Sequence, residues 1–334
     1  MTIGTDHYMT LWETTSAQPL SSVYQPSHPT ACEANLEGTA AFIGTSKGAF
    51  RIYDVVNRSE PRLIQQIRFF DVGTPVDLLR ASKDGKFLLV GSSKVDFVYI
   101  MSQESTKGFA VYGFIKFPGN VMSTCFTTHK DMPHILAVLS NNVLAGCAVP
   151  LKQAANRREN FTEAECKMFF RKIDRGSNMV SSSIITGDIY VHGQDKLMKK
   201  YDFPEEKWEN IEYRKAPPAP VMELSSHSIG TACWDFSKEY KQFATGGKDG
   251  CIILRNMNNI GNGNEIKAHT LFTGGVAAIA FSNTRTTLYT AGGDGSFMAW
   301  VIGGKPNPSQ PVPLNNSHGK DISEMPEIER CAPE

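Results

Sequence analysis

Leu288-Tyr289-Thr290-Ala291-Gly292-Gly293-Asp294-Gly295-Ser296-Phe297-Met298-Ala299-Trp300 reads as two short apolar strands joined by a Gly/Asp/Ser turn and closed by an aromatic residue. Apolar runs bounded by turn residues that tolerate positive φ are the signal of a β-hairpin. Upstream, Phe243-Ala244-Thr245-Gly246-Gly247-Lys248-Asp249-Gly250-Cys251-Ile252-Ile253-Leu254-Arg255 repeats the pattern, with Arg255 where the aromatic stands in the first copy. The chain also begins inside a copy, with Asp6 in the turn and Trp12 at the aromatic position. Weaker copies pair Lys47 with Tyr53, Lys94 with Ile100 and Asp195 with Tyr201, and a faint one surrounds Ser140-Asn141-Asn142. Turns therefore fall near 6, 47, 94, 142, 195, 249 and 294, spaced by 41 to 54 residues. Wherever the closing residue is Trp or Tyr, it follows its turn by six positions, at Trp12, Tyr53, Tyr201 and Trp300.

Further strand-like stretches precede each hairpin, as at 230–237 and 275–282, so each repeat amounts to about four short strands. A sheet that small cannot bury its own faces. Stacking such sheets radially hides the faces and leaves only short edges. The expected fold is all-β, a β-propeller of seven blades spanning 1–304, with the N-terminal blade represented only by its last two strands. Residues 305–334 are Pro-rich, then acidic, and read as a tail or linker. Proline lacks the ladder donor, so Lys305-Pro306-Asn307-Pro308-Ser309-Gln310-Pro311-Val312-Pro313 reads as a poor strand. The expectation is then a fragment whose missing half-blade comes from an upstream propeller in the same chain. An open or six-bladed ring is the alternative.

Gly-Gly-Asp-Gly before Trp300, Gly-Gly-Lys-Asp-Gly at 246–250, Phe281-Ser282, Tyr53-Asp54 and Tyr201-Asp202 resemble WD repeats. In that family a His, a Ser or Thr, the turn Asp and the Trp form a buried hydrogen-bond relay. The resemblance implies such a relay at Thr290, Asp294 and Trp300 with His269, and at His227, Thr245 and Asp249 with Arg255 replacing the Trp. At the N-terminus it implies Thr2, Asp6 and Trp12. A narrower resemblance, to cilia- and flagella-associated WD-repeat proteins, rests on Val111-Tyr112-Gly113-Phe114-Ile115-Lys116-Phe117-Pro118-Gly119, the degenerate middle blade and the acidic Met325-Pro326-Glu327-Ile328-Glu329. It implies a large axonemal scaffold.

Thirty-four Lys and Arg balance thirty-four Asp and Glu. Such a chain lacks the global positive field that accompanies non-specific nucleic-acid binding. No window approaches the roughly 18 consecutive apolar residues of a membrane-spanning helix, and Met1-Thr2-Ile3-Gly4-Thr5-Asp6 does not resemble a signal peptide. Seven scattered cysteines without CxxC or Cys/His spacing read as reduced thiols of a cytoplasmic protein, with neither a disulfide framework nor a zinc site. The eight histidines form no helical i, i+4 pair, and no HExxH, Walker or nucleophile-elbow motif occurs, so no cofactor or catalytic residue is assigned. Asp294 and Asp249, on tight Gly turns, are read as acceptors of backbone N–H bonds rather than catalytic acids. His192 is read as part of its own turn.

Propellers present loops from a rigid scaffold, and loops carry function. Two stretches are candidates for binding other proteins. One is 152–165, with Arg157, Arg158 and Phe161 and a capping box at Thr162 and Glu165; it is either a docking protrusion or a solvated insertion. The other holds Trp208 among charges, as an interface anchor or as packing under its own loop. The functional expectation is a non-catalytic protein–protein scaffold of the axoneme. The rival is a substrate-recognition adaptor, such as that of a ubiquitin ligase, and a propeller enzyme is the third class.

Overall fold

In five of the repeats the residue after the turn position enters the left-handed region. Gly48 (φ 73°), Gly250 (φ 82°) and Gly295 (φ 76°) do so without steric cost, and His7 (φ 69°) and Lys196 (φ 64°) take the same place in two other copies. In the faint copy Asn142 (φ 60°) is that left-handed residue, so the turn proper begins at Asn141. A computed structural model describes residues 1–13, 18–35, 37–82, 84–104, 108–153, 160–183, 187–203, 219–237, 241–282 and 287–302.

The chain packs as two compact units, one of Met1–Glu13 with Gln18–Ser226, the other taking in the chain from His227. The first unit holds five antiparallel sheets. Blade one is β1 (Thr2–Ile3), β2 (Tyr8–Trp12) and β3 (Pro19–Tyr24). Blade two is β4 (Pro29–Ala34), β5 (Ala40–Thr45), β6 (Ala49–Asp54) and β7 (Arg62–Arg68). Blade three is β8 (Leu78–Ala81), β9 (Phe87–Gly91), β10 (Phe97–Gln103) and β11 (Phe109–Lys116). Blade four is β12 (Val121–His129), β13 (Met132–Leu139), β14 (Val143–Ala148) and β15 (Phe169–Lys172), the last preceded by the short helix α1 (Glu163–Cys166). Blade five is β16 (Ser177–Ser182), β17 (Ile189–Gly193), β18 (Leu197–Tyr201) and β19 (Met222–Ser225).

The second unit holds blade six, of β20 (Thr231–Ser237), β21 (Gln242–Gly247), β22 (Cys251–Asn256) and β23 (Asn259–Lys267). It also holds blade seven, whose described strands are β24 (Val276–Phe281), β25 (Thr287–Gly292) and β26 (Phe297–Val301). Seven such meanders are the blades of a β-propeller fold. Five of the innermost strands carry a register shift after their first residue, at Pro29/Ala31, Val121/Ser123, Ser177/Met179, Thr231/Cys233 and Val276/Ala278.

One expectation changes. Blade one has three strands, not two, because the strand after the aromatic folds back on the hairpin, with Tyr8 opposite Tyr24 and Trp12 opposite Pro19. The hairpin is thus the middle pair of a blade, and the strand following it is that blade's own outer strand. Residues 305–334, expected to form a tail, lie outside the described residues, as do 303 and 304.

Apolar side chains from neighbouring sheets meet in clusters. Met9, Leu11, Ala41 and Ile43 join blades one and two, and Phe42, Phe50, Val76 and Leu88 join two and three. Leu89, Ile115, Ile135 and Ala145 join three and four, and in the second unit Ala244, Ile252, Val276 and Leu288 join six and seven. Each buried Leu, Ile or Phe is worth about 1.5–3 kcal/mol.

Candidate functional site: ties between loop and hairpin

In blade seven Thr290 lies on β25, Asp294 in the turn, Trp300 on β26 and His269 in the loop before β24. The Trp300 indole donates to Thr290 Oγ1 at 3.0 Å, and Thr290 Oγ1 lies 2.9 Å from His269 Nε2. His269 Nδ1 lies 3.2 Å from Asp294 Oδ1 and 2.8 Å from Ser296 Oγ. An indole only donates and an ionised carboxylate only accepts, so the chain has one direction. Thr290 Oγ1 accepts from the indole and meets Nε2, while Nδ1 on the other side of the ring faces Asp294 and Ser296. Asp294 also accepts from the Ser296 amide, the Ser296 hydroxyl and the Thr270 amide. Burial pushes its carboxyl up, but these donors and His269 outweigh burial and hold it at about 2. Gly292 is required here, since a Cβ would strike the His269 ring and the Asp294 carboxylate.

Blade six repeats the geometry. His227 Nε2 lies 3.0 Å from Thr245 Oγ1, and its Nδ1 lies 3.1 Å from Asp249 Oδ1. Asp249 accepts from the Ser228 amide at 2.7 Å and the Cys251 amide at 3.1 Å. Burial lowers the His227 pKa, against the pull of Asp249, so the ring is neutral at pH 7. Arg255 fills the aromatic's place at 2% exposure, and burial lowers its guanidinium to about 10.

Two stretches, 218–256 and 263–300, match the family model for "WD domain, G-beta repeat". These two stretches are WD repeats. The matched stretches hold the two blades in which His, Thr and Asp come together. The chain is also similar to "Cilia- and flagella-associated protein 43" of Xenopus laevis, 21% identical over 353 residues that take in 96% of this chain and 21% of that protein. The protein of the same name from Chlamydomonas reinhardtii is 28% identical over 123 residues, 35% of this chain and 7% of that protein. The chain thus spans about a fifth of the length of the frog relative.

Four of the other blades tie hairpin to loop with different chemistry. In blade five Asp174 takes the His place, and Lys199 on β18, 9% exposed at its side chain, reaches Asp174 and Asp195 at 2.6 Å each. Burial lowers the ammonium's pKa, yet the two carboxylates outweigh it and raise the group above its ordinary value. In blade two buried Gln25 takes the place, and its Oε1 accepts from Arg51 at 3.0 Å and from Tyr53 at 3.2 Å. In blade three the Lys94 ammonium donates to the Gly73 carbonyl at 2.9 Å, and in blade four the Asn141 amide donates to the Pro118 carbonyl at 3.0 Å. Six blades therefore each tie the hairpin to the loop 18–28 residues upstream. In blade one Trp12 donates to Thr2 Oγ1 at 2.7 Å, and Asp6 accepts from the Tyr8 amide. Lys199, Gln25, Arg51 and Asn141 were missed in the sequence, although Arg51 and Lys199 share an offset of four from their turns at Lys47 and Asp195. His192 is not part of its turn: it lies on β17, with Nε2 2.8 Å from Ser181 Oγ.

Of the proposed partner-binding residues, Arg157, Arg158 and Trp208 lie outside the described residues. Phe161 is a correction. It is 4% exposed and packs over Gly113 beside the Tyr112 ring, 5.8 Å away, so it is a core residue and no exposed anchor. The Phe161 amide donates to the Phe114 carbonyl and the Thr162–Glu165 capping box closes α1, which pins this end of the loop to blade three. The exposed apolar residues lie elsewhere. Ile229 follows His227 by two positions, and Leu271 and Phe272, the latter 91% exposed, follow His269. Among the described residues no three His, Cys, Asp or Glu side chains converge as for a metal ion.

Proposed function

We propose that this chain is a non-catalytic WD-repeat platform within a protein assembly of cilia or flagella, binding other proteins and acting alongside further propeller sequence of a longer chain. The observation that carries the reading is the saturation of Asp294. A general acid or base works with a pKa near the operating pH, whereas this carboxylate accepts four hydrogen bonds and is held ionised at about 2. The loops that these ties fix display Ile229, Leu271 and Phe272 to solvent. Apolar side chains on rigid loops suit a protein interface. The ciliary setting is supported by the names of the two relatives, and the site of action is the cytoplasm of the axoneme.

The test is affinity purification of the tagged full-length protein from ciliated and non-ciliated cells, with fractionation of detergent-extracted axonemes. Retention in the axonemal fraction with axonemal proteins is the expected result. A soluble protein that co-purifies with ubiquitin-ligase subunits alone overturns the ciliary reading. Turnover of a small molecule by the purified chain overturns the non-catalytic one.

A further inference from the structure

The outer edge of blade six can be read from its hydrogen bonds. The Ala268 amide donates to the Gly250 carbonyl, and Cys251 and Ile252 stand opposite Lys267 and Ile266. Bonded and non-bonded pairs alternate along an antiparallel ladder, so Ala268, Ile266 and Asn264 turn their backbone groups toward β22. Lys267, Glu265 and Gly263 then point N–H and C=O away from it. β23 is the last strand of its sheet, and among the described residues no hydrogen bond reaches these outward groups. Such a row is a template for another strand.

Other outer strands are guarded. The chain meets β11 at Asn160 and Phe161, and the Phe161 amide donates to the Phe114 carbonyl. β7 carries Arg62 and Arg68 and no acidic residue, so a second copy there would bring like charges together. β23 instead carries one charge of each sign. Glu265 and Lys267 are exposed and sit two positions apart, so they share one face of the sheet.

We propose that blade six pairs edge to edge with blade six of a second copy of this chain, β23 antiparallel to β23 about a two-fold axis at Ile266. This register sets Glu265 opposite the second copy's Lys267 and Lys267 opposite its Glu265, and each pair exchanges two backbone bonds. Opposite residues share a face, so both carboxylates meet ammonium groups. Ile266, partly buried on the other face with Ile252, meets its own copy at the axis, in a non-bonded pair where side chains approach most closely. An axis at Glu265 would set carboxylate against carboxylate and Ile266 against Asn264. An axis at Lys267 would set ammonium against ammonium. The charges thus select one register. The contact is short, so association is weak and depends on concentration.

Analytical ultracentrifugation and amide hydrogen exchange on the full chain test this. The average mass is expected to rise toward twice the monomer's with concentration, while exchange at Glu265 and Lys267 slows. Glu265→Lys and Lys267→Glu, each at an exposed position, should weaken association by roughly tenfold, since each sets like charges opposite across the axis. Mixing the two variants in equal amounts should restore it, because every pair is again of opposite sign, and so should the double variant. A chain that stays monomeric overturns the proposal, and slow exchange of both amides in that monomer would assign the edge to residues of the same chain. Single variants that associate as tightly as the unmodified chain also overturn it. So does a mixture no tighter than its components, which would move the contact elsewhere.

Discussion

Blade seven and blade four solve one problem in two ways. Both fix a hairpin against the loop that precedes it. Blade seven uses side chains at each end of the tie, an imidazole and an ionised carboxylate, with a hydroxyl and an indole in line behind them. Blade four uses an exposed amide on a backbone carbonyl, and its rigidity comes from strands β13 and β14, buried almost end to end. A tie made of side chains demands particular residues at particular spacings. A tie to a carbonyl demands one residue and leaves the rest to apolar packing.

The largest expected effect lies in the packed blade. Phe169→Ala removes a fully buried ring that lies over Gly146 and should cost about 3–5 kcal/mol in denaturant unfolding. Loss of less than half of that would show that blade four does not rely on its core as the comparison requires. Asp294→Ala comes next, at about 3 kcal/mol, because it strands the Ser296 and Thr270 amides and the His269 ring. Exchange of the blade-seven amides reads this directly, and an unchanged pattern would break the contrast. Arg255→Trp should move blade six toward blade seven, gaining about 1 kcal/mol if the new indole reaches Thr245 as Trp300 reaches Thr290. A loss in thermal unfolding would show that Arg255 serves the blade in its own right.

The two kinds of tie also differ toward acid. The folded His227 pKa lies below the unfolded 6.5, so the unfolded chain binds more protons as pH falls below about neutrality. The stability that neutral His227 lends is present above 6.5 and is lost as pH falls toward the folded value. Asp294 adds a second loss only below 3.8, continuing toward about 2. Blade five, tied by a lysine whose folded pKa is raised, should keep its exchange protection between pH 7 and 5 while blade six loses some. Equal losses would contradict the assignment of the neutral imidazole. The smallest effect is Asn141→Ala, about 0.5 kcal/mol at an exposed position; a cost as large as that of Asp294→Ala would erase the difference between the blades.

Legibility follows the same division. Thr290, Asp294 and Trp300 are readable because an indole six residues after a Gly/Asp turn has little other use, and Thr245 and Asp249 share that spacing. The period alone locates blades three and four, since Ile100 and Asn142 carry no chemistry of their own. The phase of the repeat was not readable: four strands in a row look alike wherever the unit is cut, and only the pairing of β2 with β3 makes the hairpin the middle of its blade. Phe161 misled for a related reason. An aromatic residue between Arg158 and Glu163 looks solvated, and nothing local tells that Gly113, nearly fifty residues earlier, leaves a hollow for it.

The register shift near the start of five innermost strands bears on how their mutations should be interpreted. In β24 Val276 is buried, Ala277 and Ala278 are exposed, and the inward pattern resumes at Ile279 and Phe281. The extra residue acts as a half-step in the alternation, so odd and even positions exchange faces partway along the strand. A substitution scan of β24 interpreted with a strict two-residue rule would assign Val276 to solvent. The same half-step recurs in blades two, four, five and six, so a single inserted or deleted residue at that point would invert an entire strand instead of lengthening a loop.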